Sequence, residues 1–308
     1  MNSKKVNWFF LTTILLHILI VVSVVVFRYV FTLGMVANFV VSSAIILVPA
    51  LLFALASGEN PAEILGFHKI KWSSAAMIVL FTFLTMPLTT LINTFSMLFV
   101  ENAVMEISDS VLALPFGVSF FFMAVMAPFG EEIVFRGVVY RGYRRSGSIF
   151  QAMLFSALLF ALGHMNFNQA AYAFVIGMIL VLLVEATGSL WASVIYHVVF
   201  NGYSVCIMYL SESLFPELLE ESALTGQEYT ESMLYSMGIS LIMAAGASAI
   251  AVCVLIWIAR NEGRGQRLLQ VWTRRREQKG KMVTIPLIIA IVLCIAFMVV
   301  DVILYKIM

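Results

Sequence analysis

Three short clusters of polar residues interrupt an otherwise apolar chain, and their types are those that move protons. Glu131, Glu132 and Arg136 occur in the run FGEEIVFRGVVYRGYRR. His164 closes the run FSALLFALGHMNFN, one helical turn after Phe160, and His197 and Asn201 stand four apart in WASVIYHVVFNGY. A carboxylate accepts a proton, an imidazole carries one near neutral pH, and an amide donates hydrogen bonds without ionising. Together these groups have what is needed to activate a water molecule and to hold the oxyanion formed when it attacks a carbonyl.

Each cluster also has a structural explanation. Glu132 and Arg136, at i and i+4, can form an intrahelical ion pair. That pair leaves Glu131 unexplained, because a second carboxylate beside the first adds like-charge repulsion and desolvation with no structural return. His164 alone reads as a satisfied structural histidine, and His197 with Asn201 as interhelical hydrogen-bond glue. The conjunction of the three on separate helices favours chemistry. The weaker candidates are His17, alone in the first apolar run, His68 in a basic loop, and Asp301, close enough to a helix end to snorkel with Lys306.

The elements that must carry these residues are membrane helices. Of the 308 residues, 62% are apolar and only 11% charged, with a mean hydropathy of +1.01. Soluble domains run near half apolar and a quarter charged, so a soluble enzyme, a secreted disulfide scaffold and a disordered chain are excluded. Cys206, Cys253 and Cys294 all sit inside apolar runs and offer no disulfide framework. A net charge of +1, with basic residues at the ends of apolar runs, argues against nucleic acid as a partner.

A hydrocarbon core about 30 Å thick needs about 20 helical residues. Apolar runs of that order predict an all-α polytopic bundle of about nine spans, eight being the alternative count: 8–30, 34–56, 73–99, 112–140, 149–165, 169–185, 189–210, 235–259 and 283–305. The first is read as a retained signal anchor, since it is longer than a signal-peptide core and no small-residue cleavage site follows. Residues 1–110 form an N-terminal region without an assigned role, 111–210 the core that carries the three clusters, and 211–308 an acidic outer loop, two further spans and a basic segment.

Basic residues in short loops mark the cytoplasmic face. Lys4 and Lys5, Lys69 and Lys71, Arg141, Arg144 and Arg145, and the group from Arg260 to Lys281 all fall on one face of a nine-span chain with a cytoplasmic N-terminus. Acidic loops containing Glu101, Glu106 and Asp109, and Glu212, Glu217, Glu220, Glu221, Glu228 and Glu231, fall on the other. The segment 260–281 is expected along anionic lipid headgroups, with Leu268, Leu269, Val271 and Trp272 towards lipid. At about 1.5 Å per residue, Glu131 lies roughly 20 Å from the arginines that follow it, His164 roughly 20 Å along its helix and His197 roughly 13 Å from Gly188, so the three can meet in the inner part of the bilayer.

At these residues the sequence resembles the CPBP family, the CAAX proteases and bacteriocin-processing enzymes, with type II CAAX prenyl endopeptidases as its archetype. Three motifs match in order over roughly residues 110–205. The family's EExxxR is similar to Glu131, Glu132 and Arg136, its FxxxH to Phe160 and His164, and its HxxxN to His197 and Asn201. The resemblance implies an intramembrane endopeptidase acting on a peptide or protein at the membrane. In it, Glu131 and His164 bind and deprotonate the attacking water, His197 and Asn201 hold the oxyanion, and Glu132 and Arg136 keep Glu131 in place. No cofactor is expected.

Two alternatives stay open. Two histidines and a glutamate are a catalytic zinc set, which would make His164, His197 and Glu131 the ligands. Against it, HExxH is absent and adjacent glutamates are not a usual ligand spacing. Beyond hydrolysis, the same pocket would serve a non-catalytic immunity or scaffolding protein, or a transporter that uses its carboxylates as a proton relay. The absence of an internal repeat lowers the case for transport.

Overall fold

The computed structural model describes residues 2–27, 33–55, 60–100, 102–214, 226–277 and 280–307, and every element within them is a helix. In chain order these are α1 (Ser3–Val26), α2 (Met35–Leu55), α3 (Pro61–Leu65), α4 (Trp72–Ser96), α5 (Ala103–Glu106), α6 (Ser108–Leu112), α7 (Phe116–Arg144), α8 (Ile149–Gly163), α9 (Phe167–Thr187), α10 (Leu190–Leu214), α11 (Gly226–Asn261), α12 (Gly265–Thr273) and α13 (Ile285–Ile307). Eight of them, α1, α2, α4, α7, α9, α10, α11 and α13, are long and apolar enough to cross a membrane. The chain is an all-α, multi-pass integral membrane protein.

The expected span at 149–165 is the exception. Helix α8 has 15 residues, about 22 Å, and stops short of a full crossing. It starts on a reciprocal cap, in which the Ser148 hydroxyl accepts from the Gln151 amide and the Gln151 side chain accepts from the Ser148 amide. It ends because Asn166 takes over as the cap of α9, accepting from the Gln169 amide, and Met165 between them adopts a positive φ of 53°. The apolar run continues through this break, and the backbone does not.

Hydrogen bonds tie the basic segments together at one end of the bundle. The Ser3 amide donates to Ser146 Oγ at 2.9 Å, Ser148 Oγ to the Arg275 carbonyl at 3.0 Å, and the Lys71 amide to Glu262 Oε1 at 3.0 Å. Glu185 anchors this end: it accepts from Tyr140 Oη at 2.5 Å and from Arg267 Nε at 2.7 Å. Helix α12 departs from the lipid-facing expectation here. Val271 is fully buried and Leu268 packs on the core, so only Leu269 and Trp272 stay exposed. Burying Val271 lets the Glu185 contact draw α12 onto the ends of α9 and α11.

Of the remaining sequence expectations, Glu101, Glu217, Glu220 and Glu221 lie outside the described residues, as do the side chains of Glu228 and Lys306.

Candidate active site

Helix α7 is not a regular α-helix, and its irregularity positions the site. Two stretches, Phe120–Met126 and Ile133–Tyr140, wind with wider π-type turns around a six-residue α-helical piece, Ala127–Glu132, that carries both glutamates. Pro128 lacks an amide hydrogen, and the Ala127 amide already donates five residues back to the Phe122 carbonyl. The Met123 carbonyl therefore has no partner on its own helix, and Asn201 Nδ2 on α10 donates to it at 3.0 Å. In the second wide stretch, Ser156 Oγ on α8 donates to the Phe135 carbonyl at 2.9 Å. Wide turns of this kind recur at functional sites because they release backbone groups and re-aim side chains.

The two adjacent carboxylates point to different places. Glu132 is fully buried, and its Oε1 lies 2.8 Å from Arg136 Nη1 and 2.8 Å from His197 Nδ1. Arg136, also fully buried, sits with its guanidinium carbon 4.2 Å above the Phe160 ring and donates from Nη2 to the Gly177 carbonyl at 3.4 Å. Phe160 is an aromatic hub, with its edge-on neighbours His164 at 4.8 Å and His197 at 5.8 Å between ring centres. Glu132 thus contacts Arg136 and His197 directly, while Arg136 contacts Glu132, Phe160 and the Gly177 carbonyl.

This contact also fixes the proton on His197. A carboxylate in an ion pair with arginine only accepts, so Nδ1 is the protonated nitrogen and Nε2 is left to face Glu131. Nε2 lies 3.8 Å from Glu131 Oε2, too long for a direct hydrogen bond, while a single oxygen atom can contact both at ordinary lengths.

Glu131, by contrast, is partly open, with 21% of its side chain exposed. It lines a cavity of about 490 Å³ together with His164, His197 and Asn201, so all four sequence candidates share one space. His164 turns its Nδ1 to the Phe160 carbonyl at 2.8 Å, which leaves its other ring nitrogen for the cavity. His17, read from sequence as an isolated residue, is part of the same wall, as are Asn38 and Ser42 of α2. A lone histidine in an apolar run gives no sign of a partner more than a hundred residues away.

Among the described residues, no three His, Cys, Asp or Glu side chains are grouped as a metal ion needs.

Close packing holds this geometry where α8 crosses α9. A Cβ on Gly177 would lie 2.8 Å from the Ala157 Cα and 3.4 Å from the Phe160 ring. Gly177→Ala is therefore expected to destabilise the protein by about 1–3 kcal/mol, the usual range for overpacking a core. It should also reduce activity by shifting Phe160 and the carbonyl that Arg136 reaches. Thermal unfolding of the detergent-solubilised variant checks it, and an unchanged Tm would show that the crossing yields without strain.

The fold and site define an all-α multi-pass membrane protein with a carboxylate and histidine centre inside the bilayer-spanning bundle. The family model described as Type II CAAX prenyl endopeptidase Rce1-like matches residues 113–203, the stretch from the start of α7 to the middle of α10. That match supports assignment of the chain to the CPBP, or CAAX protease, family and, in general terms, an intramembrane protease of the CAAX type. Comparison with curated proteins and with solved structures finds no match.

Proposed function

We propose that this protein is an intramembrane endopeptidase that hydrolyses a peptide bond of a membrane-associated or lipidated peptide or protein by glutamate-activated water. The observation that carries the proposal is the separation of the paired carboxylates. Glu132 is consumed by Arg136 and His197, and Glu131 is left facing a cavity shared with His164, His197 and Asn201.

In this mechanism Glu131 and His164 hold a water, Glu131 takes its proton, and the hydroxide oxygen bonds to the scissile carbonyl carbon. Asn201, whose Nδ2 keeps one hydrogen beyond the bond to Met123, donates to the resulting oxyanion. His197 donates as well when protonated on Nε2, with Glu132 accepting from its Nδ1. Glu131 returns the proton to the leaving amine as the C–N bond breaks.

Comparing the membrane peptidomes of cells carrying the wild type and Glu131→Gln tests the proposal. Fragments present only with the wild type are the expected outcome. A scaffold would lose nothing, and a proton-coupled transporter would lose coupling with no change in fragments.

We further propose that the chemistry needs no metal. Zinc as a Lewis acid would do the work assigned here to Asn201 and His197. The purified enzyme is expected to keep its activity after prolonged exposure to a strong chelator, with no stoichiometric zinc on elemental analysis. Activity that disappears on chelation and returns only with zinc would make His164, His197 and Glu131 ligands instead.

The proposed partners, besides the substrate, are anionic lipid headgroups. The exposed Leu269 and Trp272 of α12 and the exposed Arg274, Arg275 and Arg276 that follow support such a contact.

A further inference from the structure

Among the described residues, the wall of the cavity extends to one end of the bundle and stops short of the other. Its wall reaches Met35, the first residue of α2, and Val104, Ile107 and Ser110 of the short helices between α4 and α7. It also runs up α10 from His197 to Met208. All of these lie away from the basic segments. In the other direction the wall ends at Phe9 and Phe10 on α1 and at Phe135 on α7, and beyond it Val6, Asn7, Val138, Val139, Tyr140 and Tyr143 are at most 3% exposed. That layer closes the cavity before the basic end.

The shortness of α8 contributes to this asymmetry. Starting beside the arginines, it rises about 22 Å of the roughly 30 Å needed and ends at His164, so non-helical backbone lies at membrane depth. Such backbone is tolerated where it lines a cavity. The remaining depth on the far side of His164 belongs to the opening.

The basic segments carry the orientation. Lys71, Arg144, Arg145, Arg264, Arg267 and Lys281 lie at the end of the bundle that the hydrogen bonds tie together, and short basic loops stay in the cytoplasm. We infer that the active site opens to the extracytoplasmic side, and that its substrate is a peptide segment presented from the outer leaflet or beyond it. The inference rests on the protease reading for its substrate, and on the cavity and the basic segments for its direction.

The lining narrows the chemistry of that segment. Among the described residues of the wall there is no Lys, Arg or Asp, and Arg136 is turned away to Glu132. Asn38, Ser42, Ser43, Gln169 and Ser204 supply hydrogen bonds for an extended peptide backbone, between aromatic neighbours such as Phe39 and Phe122 that suit uncharged side chains.

The test uses the full chain with Cys206, Cys253 and Cys294 replaced by alanine, and single cysteines at Ser42→Cys, Ser204→Cys and Arg145→Cys. A membrane-impermeant maleimide is applied to intact cells and to inverted vesicles. The expected result is that Ser42→Cys and Ser204→Cys react in intact cells, and Arg145→Cys only in inverted vesicles. Reaction of the two cavity cysteines only in inverted vesicles overturns the inference, as does reaction at neither face or reaction of Arg145→Cys in intact cells. Repeating the labelling in Glu131→Gln separates the two claims. An inactive protein with the expected pattern keeps the direction, and an active one with the expected pattern removes only the proposed role of Glu131.

Discussion

Glu131→Gln is expected to lower peptide-bond cleavage by about 10²- to 10⁴-fold, the range over which a positioned general base contributes. The substitution keeps size and hydrogen bonding while removing the basic oxygen. Glu131 makes no ion pair closer than the 3.8 Å approach of His197, so its loss leaves the buried Glu132 and Arg136 pair intact and the protein should insert and fold normally. His164→Ala should have an effect of similar order. Combined with Glu131→Gln it should cost little more than the worse single change, because groups that act on one water are not additive. Cleavage of a peptide found in the peptidome comparison, measured with purified protein in detergent, provides the readout. Full activity in Glu131→Gln would end the assignment of Glu131 as the base.

The helices were legible in the sequence because in a membrane the hydrocarbon thickness sets a length, and eight apolar runs meet it. The end of α8 was not, since hydropathy continues through Leu162, Gly163 and Met165 while the stop comes from the cap that Asn166 makes for the next helix. Val271 went astray for a related reason. An amphipathic segment shows which residues share a face, and says nothing of whether lipid or protein covers that face.

The site was legible as a set of residue types and less so as a set of contacts. The spacing of Glu132 and Arg136 announces their pair, because four residues along a helix is a local relation. The bond from Glu132 to His197 spans 65 positions and cannot be read from spacing. That bond changes the roles: it makes Glu132 the acceptor that orients His197 and leaves Glu131 to the cavity. Likewise the consequence of Pro128 appears only when α10 brings Asn201 alongside the Met123 carbonyl. Where the structure departs from the sequence reading around the site, it does so through non-local partners of the residues the three motifs name.

Arg136→Met is expected to produce the largest loss of stability of any single change at the site, about 3–5 kcal/mol, the range for removing one partner of a buried ion pair. The cost lies chiefly in what remains. Glu132 would be left at zero exposure without its cation, and Phe160 would lose the guanidinium stacked on its face. The double change Glu132→Leu with Arg136→Met removes both charges and should recover much of the stability, since apolar residues of similar volume often replace a buried pair without penalty. Cleavage should not recover with it. His197 Nδ1 would then lack the acceptor that fixes its tautomer and aims Nε2 at Glu131, so folding and activity are expected to part company in this variant. Unfolding of the solubilised proteins, followed alongside peptide cleavage, measures both quantities on the same samples. If Arg136→Met is as stable as the wild type, the pair is not the support described here, and if the double variant cleaves normally, His197 does not depend on Glu132.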